Sequence, residues 1–119
     1  MINLRYFKPE EFVRSSYPPG SIADMNSEFL QVLDSVRHSA GVPFVLTCSY
    51  RSRAWDISKG REYVSYHTLG RAVDVRCTDG STRKKIISAA LEFGLSVGVY
   101  STFLHLDNRE NQIVFRGDK

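Results

Sequence analysis

The sequence is poor in residues that bind metals or form crosslinks: 119 residues include three histidines and two cysteines. Cys48 and Cys77 have the spacing of neither a zinc ribbon nor a redox pair. Each closes an apolar run, so two free, largely buried thiols are expected, with a single disulfide as the alternative. No stretch approaches the roughly 20 apolar residues that span a bilayer. The N-terminus lacks the apolar core and cleavage site of a signal peptide, which predicts synthesis in the cytoplasm and another route to any place outside it.

Neither sign of charge dominates the sequence. The formal net charge is +3 and the pI is about 9.0, which suits an anionic partner such as a cell wall or a nucleic acid. The basic residues are scattered, and their one run, residues 83–85, is typical of a solvated helix face. A stripe of alternating aromatic and basic residues is missing, so no nucleic-acid partner is expected.

Repeats, low-complexity tracts and linkers are also absent, which predicts a single domain over residues 1–119 with one modest core. Capping residues and apolar periodicity predict helices over 9–13, 26–38 and 81–93. Asn26 or Ser27 is expected to cap the second helix and Gly41 to end it, and Ser81 is expected to cap the third. Strands are predicted over 43–48, 72–76, 96–100, 103–107 and 112–116. Residues 49–66 show no period and are expected to form a long functional loop. Because the last three strands resemble a meander, we predict an α+β fold with a small, largely antiparallel sheet and helices packed on one side.

The residues with the clearest chemical potential are His67, Asp74 and His105. Two imidazoles and one carboxylate make a three-ligand zinc site with a fourth position open for water. His67 and Asp74 are an odd number of residues apart, so they would face opposite sides of one continuous strand. The chain must therefore bend between them, and Gly70 can provide the bend. The alternatives are a surface histidine at 67 and a half-buried strand histidine at 105, bonded to a neighbour.

Three segments carry a family resemblance: residues 47–52 (TCSYRS), 65–74 (SYHTLGRAVD) and 103–107 (FLHLD). Their order and spacing resemble the zinc D-alanyl-D-alanine carboxypeptidase superfamily. That superfamily includes D-Ala-D-Ala dipeptidases, the L-alanyl-D-glutamate endopeptidases of phage lysins, and the hedgehog amino-terminal signalling domain. The resemblance covers nearly the whole chain and is strongest to small phage-type members. It implies Zn²⁺ bound by His67, Asp74 and His105, with His38 uninvolved.

The resemblance also implies a role for Arg51, but it leaves the general base open. Arg51 matches the family arginine that binds a substrate carbonyl or carboxylate, a task that suits a rigid, permanently charged guanidinium. The usual general base, an acid three residues before the last histidine or a histidine two before it, is replaced by Thr102 and Phe103, and a motif glycine is Ser49. Asp107, roughly 6–7 Å from His105 along one strand face, remains as the base or as a partner that orients a ligand histidine. Failing Asp107, the available acids are Asp56 and Glu62.

The function implied is a monomeric zinc metallopeptidase that hydrolyses peptidoglycan stem peptides, as a carboxypeptidase or an endopeptidase. A phage lysin acting at the bacterial cell wall would fit the small size. The alternative is a non-catalytic zinc-binding domain that recognises a partner or a cell-wall ligand, as in the hedgehog branch.

Overall fold

The computed structural model of the protein describes residues 4–19 and 22–117. Within these residues four helices and five strands follow one another, with a 3-10 turn at Ile22–Asp24. The helices are α1 (Pro9–Ser15), α2 (Ser27–Ala40), α3 (Arg53–Ser58) and α4 (Gly80–Glu92). The strands are β1 (Val45–Cys48), β2 (Ala72–Arg76), β3 (Ser96–Val99), β4 (Phe103–Asp107) and β5 (Val114–Arg116).

The strands form one sheet in the order β1-β2-β4-β3-β5. All neighbours are antiparallel except β3 and β5, which are parallel. The predicted α+β class and largely antiparallel sheet are confirmed, but the predicted terminal meander is wrong. After β4 the chain crosses the end of β3 and adds β5 on the outer edge. The crossing is fixed by Ile113, whose N–H donates to Ser96 Oγ at 2.8 Å and whose carbonyl accepts from Val97 N–H.

The sheet buries one face against helices α1, α2 and α4. Strand alternation places every second residue of β2 and β4 in the core, and the register pairs Val73 with Leu106 and Val75 with Leu104. The helices complete the core with the buried residues Phe12, Phe29, Leu30, Leu33, Val36, Ile86, Ala89 and Ala90. The same alternation turns Asp74 and His105 to the opposite face, which leaves them available for a site.

Side-chain caps set the ends of the two long helices. Asn26 accepts the Phe29 N–H at the start of α2, and Gly41 ends that helix with φ 69°. Helix α4 begins earlier than predicted, because Asp79 and not Ser81 is its cap: the Asp79 carboxylate accepts both the N–H and the hydroxyl of Thr82. Cys48 and Cys77 are free and buried, as predicted.

Helix α3 lies in the segment predicted to be a loop. Ser52 caps it by accepting the Trp55 N–H at 3.0 Å. With six residues the helix is too short to show apolar periodicity, and its one buried residue is Asp56. Within residues 4–19 and 22–117, no helix has the length and apolar character that crossing a membrane requires.

Candidate functional site

Two adjacent strands place Asp74 and His105 beside each other. In the antiparallel register of β2 and β4, Asp74 pairs with His105 and Ala72 with Asp107. His105 Nδ1 lies 3.0 Å from Asp74 Oδ1. Because residues two apart on a strand share a face, Asp107 lies on the same side as His105. The strand pairing therefore fixes three of the predicted site residues with no contribution from a loop.

His67 reaches the same point from the loop before β2. A run of turns is closed by the Gly70 N–H on the His67 carbonyl and the Arg71 N–H on the Tyr66 carbonyl. Gly70 has φ 70°, so the bend predicted at this glycine is present. A Cβ at Gly70 would lie 2.9 Å from Met25 Cα and Asn26 N, and closer still to the Asp24 carbonyl oxygen. The loop carrying His67 is thus packed directly against the backbone before α2.

Gly70→Ala is expected to destabilise the fold by at least about 2 kcal/mol, since it adds a backbone clash to an unfavourable positive φ. Gly41→Ala is the matched control, because Gly41 has φ 69° but nothing within 4 Å of its added Cβ. Urea unfolding of both variants separates the clash from the backbone strain. Equal losses of stability in the two variants would show that the backbone around Gly70 shifts without cost to relieve the clash.

The tautomer of His67 directs a lone pair at Asp74. His67 Nδ1 is 2.7 Å from the Ser49 carbonyl oxygen, which can only accept, so Nδ1 carries the hydrogen. In the neutral ring, Nε2 then faces Asp74 Oδ1 at 3.2 Å with its lone pair. Two acceptors at this distance require a proton or a cation between them. His67 itself is buried, with 3% of its surface exposed.

His105 is held between two carboxylates. Its Nδ1 faces Asp74 Oδ1, and its Nε2 is 2.7 Å from Asp107 Oδ2. A neutral imidazole has one hydrogen, so donation to Asp107 leaves the Nδ1 lone pair facing Asp74. Burial opposes the charged forms, but the hydrogen bonds outweigh it: they raise the pKa of His105 and lower the pKa of Asp74 to about 2. When both rings are neutral in these tautomers, His67 Nε2 and His105 Nδ1 each direct a lone pair at Asp74 Oδ1.

Asp107 is fully buried and makes contacts through both oxygens. Besides His105, it is bound by Arg109, whose backbone N–H donates to Oδ1 at 3.0 Å and whose Nε lies 2.9 Å from the same oxygen. Burial would raise the pKa of Asp107, but the bonds from Arg109 and His105 reverse this and lower it strongly. This environment resembles that of a carboxylate that orients an imidazole, and it is poorly suited to accepting a proton.

Cys48 offers a second way of completing a ligand set. In the described part of the chain, one group of potential ligand atoms lies within 4.8 Å of one another, and it comes from Cys48, His67 and Asp74. Cys48 Sγ, however, is 3.5 Å from His67 Nδ1, the nitrogen already bonded to Ser49. Burial, together with the Asp74 charge, raises the pKa of Cys48 to about 12, whereas metals bind the thiolate. His105, joined to Asp74 at 3.0 Å, is the better third donor.

Arg51 lies at the edge of this cluster. Its Nη2 donates to Ser65 Oγ at 3.0 Å, and its Nε is 3.1 Å from Oδ1 of the buried Asp56. The Nε–H is not aligned for a hydrogen bond with that oxygen, so the contact is an ion pair only. Asp56 also binds Arg61 and Thr68, which makes it a structural anchor of this loop.

A cleft of about 820 Å³ opens over these residues. Its floor includes His67, Asp74 and His105, and Arg51 and Glu62 are among its walls. The rest of the lining is mainly aromatic and basic: Arg61, Tyr63, Tyr66, Tyr100, Phe103, Arg109 and Phe115. Tyr63, at the mouth, is 80% exposed. The arrangement can admit a peptide-sized molecule bearing negative charge to the three converging donors.

The structure brings His67, Asp74, His105, Asp107 and Arg51 into one region. His38 lies elsewhere, exposed on α2, with its Nδ1 2.5 Å from the Tyr6 hydroxyl. Sequence reasoning missed Arg109 and Ser65. A hydroxyl that accepts from both Arg51 and the His67 N–H has no pattern in one sequence, but an arginine two residues after a candidate carboxylate was a visible signal.

The chain resembles known proteins in sequence and in structure. A sequence profile of the family described as Peptidase M15 matches residues 5–107. Among solved structures, the chain is similar to the Serratia marcescens L-Ala D-Glu endopeptidase ChiX, with 18% sequence identity and a TM-score of 0.49. That match covers 81% of this chain and 86% of the other. No curated protein sequence matches the chain.

Proposed function

Because the chain belongs to the Peptidase M15 family, we propose that it is a zinc-dependent peptidase acting on the stem peptides of bacterial peptidoglycan. The bond cleaved is either a terminal D-Ala-D-Ala bond or an internal L-Ala-D-Glu bond. Its place of action is the cell wall, as for a phage-type lysin. One observation carries the proposal: His67 Nε2 and His105 Nδ1 both face Asp74 Oδ1, at 3.2 and 3.0 Å, in an open cleft.

The donor set fits a zinc ion. His67 Nε2 and His105 Nδ1 each face Asp74 Oδ1, and each of these acceptor pairs is repulsive unless a proton or a cation lies between its two atoms. His-His-Asp with one open position is a catalytic zinc pattern. Each histidine is oriented from its far side, His67 by the Ser49 carbonyl and His105 by Asp107. A bound zinc ion supplies an activated water and a Lewis acid for the scissile carbonyl. We therefore assign His67, Asp74 and His105 as its ligands.

Arg51 is proposed to bind the substrate. It lines the cleft next to His67, and its side chain is 17% exposed. The contacts with Asp56 and Ser65 hold its guanidinium in place before substrate arrives. A fixed guanidinium is suited to a substrate carboxylate or to the oxygen that gains negative charge during hydrolysis. Arg61 in the same cleft adds to its attraction for an anionic peptide.

Glu62 is the strongest candidate for moving a proton. Asp107 does not line the cleft, and both of its oxygens are bound. Asp56 is fully buried between Arg51 and Arg61. Among described residues, the carboxylates that line the cleft are Asp74, a proposed ligand, and Glu62. The Glu62 backbone is anchored by Arg53 Nη2, which donates to its carbonyl at 3.1 Å.

Glu62→Gln is expected to lower kcat by about a hundredfold, the lower end of what a positioned general base contributes. Zinc content should stay at the wild-type level, because Glu62 is outside the proposed ligand set. Glu110→Gln, on the exposed turn after β4, is the matched control. Unchanged turnover in Glu62→Gln would remove Glu62 from the mechanism.

A non-catalytic zinc-binding domain is the second candidate function. It is favoured by the residues at the usual base positions: Thr102, which is exposed, and Phe103, which stacks on Tyr100. Neither can accept a proton. In this case the cleft would bind the stem peptide or a protein partner without cleaving it.

The decisive experiment incubates the zinc-loaded protein with defined muropeptides and determines product masses. Loss of one D-Ala identifies carboxypeptidase activity, and release of a fragment that begins with D-Glu identifies endopeptidase activity. Zinc at one ion per chain with every muropeptide intact would favour the binding domain. A chain that takes up no zinc would contradict both functions.

A further inference from the structure

Arg109 connects the turn after β4 to the proposed metal centre. Its Nε is 2.9 Å from Asp107 Oδ1 and 3.1 Å from Oδ2, and its Nη2 is 2.5 Å from Oδ2. Its backbone N–H also donates to Oδ1 at 3.0 Å. One residue therefore binds both oxygens of a fully buried carboxylate. A planar fork bound in this way fixes the orientation of the carboxylate as well as its position.

The guanidinium of Arg109 is itself held by aromatic rings. It lies 4.9 Å from the ring centre of Tyr66 and 5.1 Å from that of Phe115, distances typical of cation–π contacts. Tyr66 directly precedes His67. Phe115 belongs to β5, and the centre of its ring is 5.8 Å from that of the His105 ring. Arg109 thus joins the His67 loop, the edge strand and Asp107.

We propose that Arg109 is a positioning residue of the metal centre, acting on His105 through Asp107. Asp107 Oδ2 receives the His105 Nε2–H at 2.7 Å, which keeps the lone pair of Nδ1 directed at Asp74. A carboxylate held by a fork cannot rotate, so the imidazole that it binds has one orientation and one tautomer. The inference deepens the proposed function and rests on it, because it assumes that His105 is a zinc ligand.

The test measures zinc affinity by competition with a chelator. Arg109→Gln should weaken zinc binding about 10-fold, the lower end of the cost of losing an outer partner of a metal ligand, since the backbone N–H at 109 still binds Asp107. Arg109→Lys keeps the charge without the fork and should lose less, which provides a second variant if the glutamine variant folds poorly. With zinc saturating, the glutamine variant should lose kcat while KM stays unchanged.

Arg71→Gln is the matched control. Arg71 contacts the same turn and the same ring, donating to Asn108 Oδ1 at 2.7 Å and lying 5.5 Å from the Tyr66 ring centre, but it bonds Asn108 and not Asp107. The zinc affinity of the Arg71→Gln variant should equal the wild-type value. In the zinc-loaded protein, ¹H–¹⁵N NMR should show a sharp, hydrogen-bonded His105 Nε2–H signal in wild type and in Arg71→Gln, and a broadened one in Arg109→Gln.

A double-mutant cycle with Asp107→Asn separates this role from a general structural one. If Arg109 acts through Asp107, Arg109→Gln added to Asp107→Asn should weaken zinc binding no further. Additive losses, or wild-type zinc affinity in Arg109→Gln alone, would overturn the inference. A wild-type chain that binds no zinc contradicts the proposed function itself, whereas a zinc-binding wild type with an unaffected Arg109→Gln contradicts only the role of Arg109.

Discussion

Replacing either His67 or His105 by alanine is expected to abolish stoichiometric zinc binding and, with it, hydrolysis. Each change removes one of three donors, so the loss of zinc affinity should exceed the roughly 10- to 100-fold that follows loss of an outer partner. Elemental analysis after dialysis should find about one zinc per chain in the wild type and background levels in both variants. His67→Ala also removes the bond to the Ser49 carbonyl, so the melting temperature must be compared alongside.

Two controls sharpen this result. His38→Gln changes a histidine that is exposed on α2 and contacts Tyr6, so zinc content and turnover should both persist. Cys48→Ala distinguishes the two possible third donors, because it should keep its zinc where His105→Ala loses it. Zinc retained in His105→Ala but lost in Cys48→Ala would assign the ligand set to Cys48, His67 and Asp74. Zinc retained in both histidine variants would exclude the site altogether.

Arg51→Lys is expected to lower turnover by about a hundred- to a thousandfold while zinc stays bound. Lysine keeps the positive charge but cannot offer two parallel N–H groups to a carboxylate or an oxyanion, and the loss of one oxyanion donor has this magnitude. The change also removes the guanidinium that lies beside buried Asp56, but Arg61 and Thr68 remain bound to that carboxylate. The fold should therefore survive, and the melting temperature checks that it does.

Arg76→Lys is the matched control for Arg51, since Arg76 is exposed at the end of β2 and lies outside the cleft lining. Its kinetics should equal those of the wild type. A fall in kcat with constant KM in Arg51→Lys would place its contact in the transition state, and a rise in KM alone would place it in ground-state binding. Wild-type values of both constants would reduce Arg51 to a structural partner of Asp56.

The sequence was most informative where local chemistry determines local structure. Capping by Asn26, the stop at Gly41 and the apolar alternation of β2 and β4 were predictable, because each depends on neighbouring residues. The bend at Gly70 followed from the parity of the spacing between His67 and Asp74. These local rules, together with the family resemblance, identified the cluster that the fold brings together.

The features that were missed depend on tertiary contacts. Helix α3 is too short to show a period, and its cap at Ser52 is an unremarkable serine in sequence. The parallel placement of β5 is decided by the bonds of Ile113 to β3, which no spacing rule anticipates. Arg109 was missed although it lies two residues after Asp107, because one of the rings that hold it, that of Tyr66, comes from a distant part of the chain. For Asp107, the sequence left two roles open, and its burial and its bonds to His105 and Arg109 favour the orienting role.

Phe115 of β5 forms a wall of the cleft that is separate from the strands carrying Asp74 and His105. The proposed ligands, Arg51 and Asp107 all lie within residues 5–107, which the family profile matches, whereas Arg109 and Phe115 follow that range. Gly98, opposite His105 on β3, has no side chain, and any Cβ there would overlap the Phe115 ring. Changes at Phe115 can reshape this wall of the substrate cleft while the ligands keep their strand register, whereas Arg109 must be kept because it holds Asp107. Engineering of substrate preference would begin at this edge.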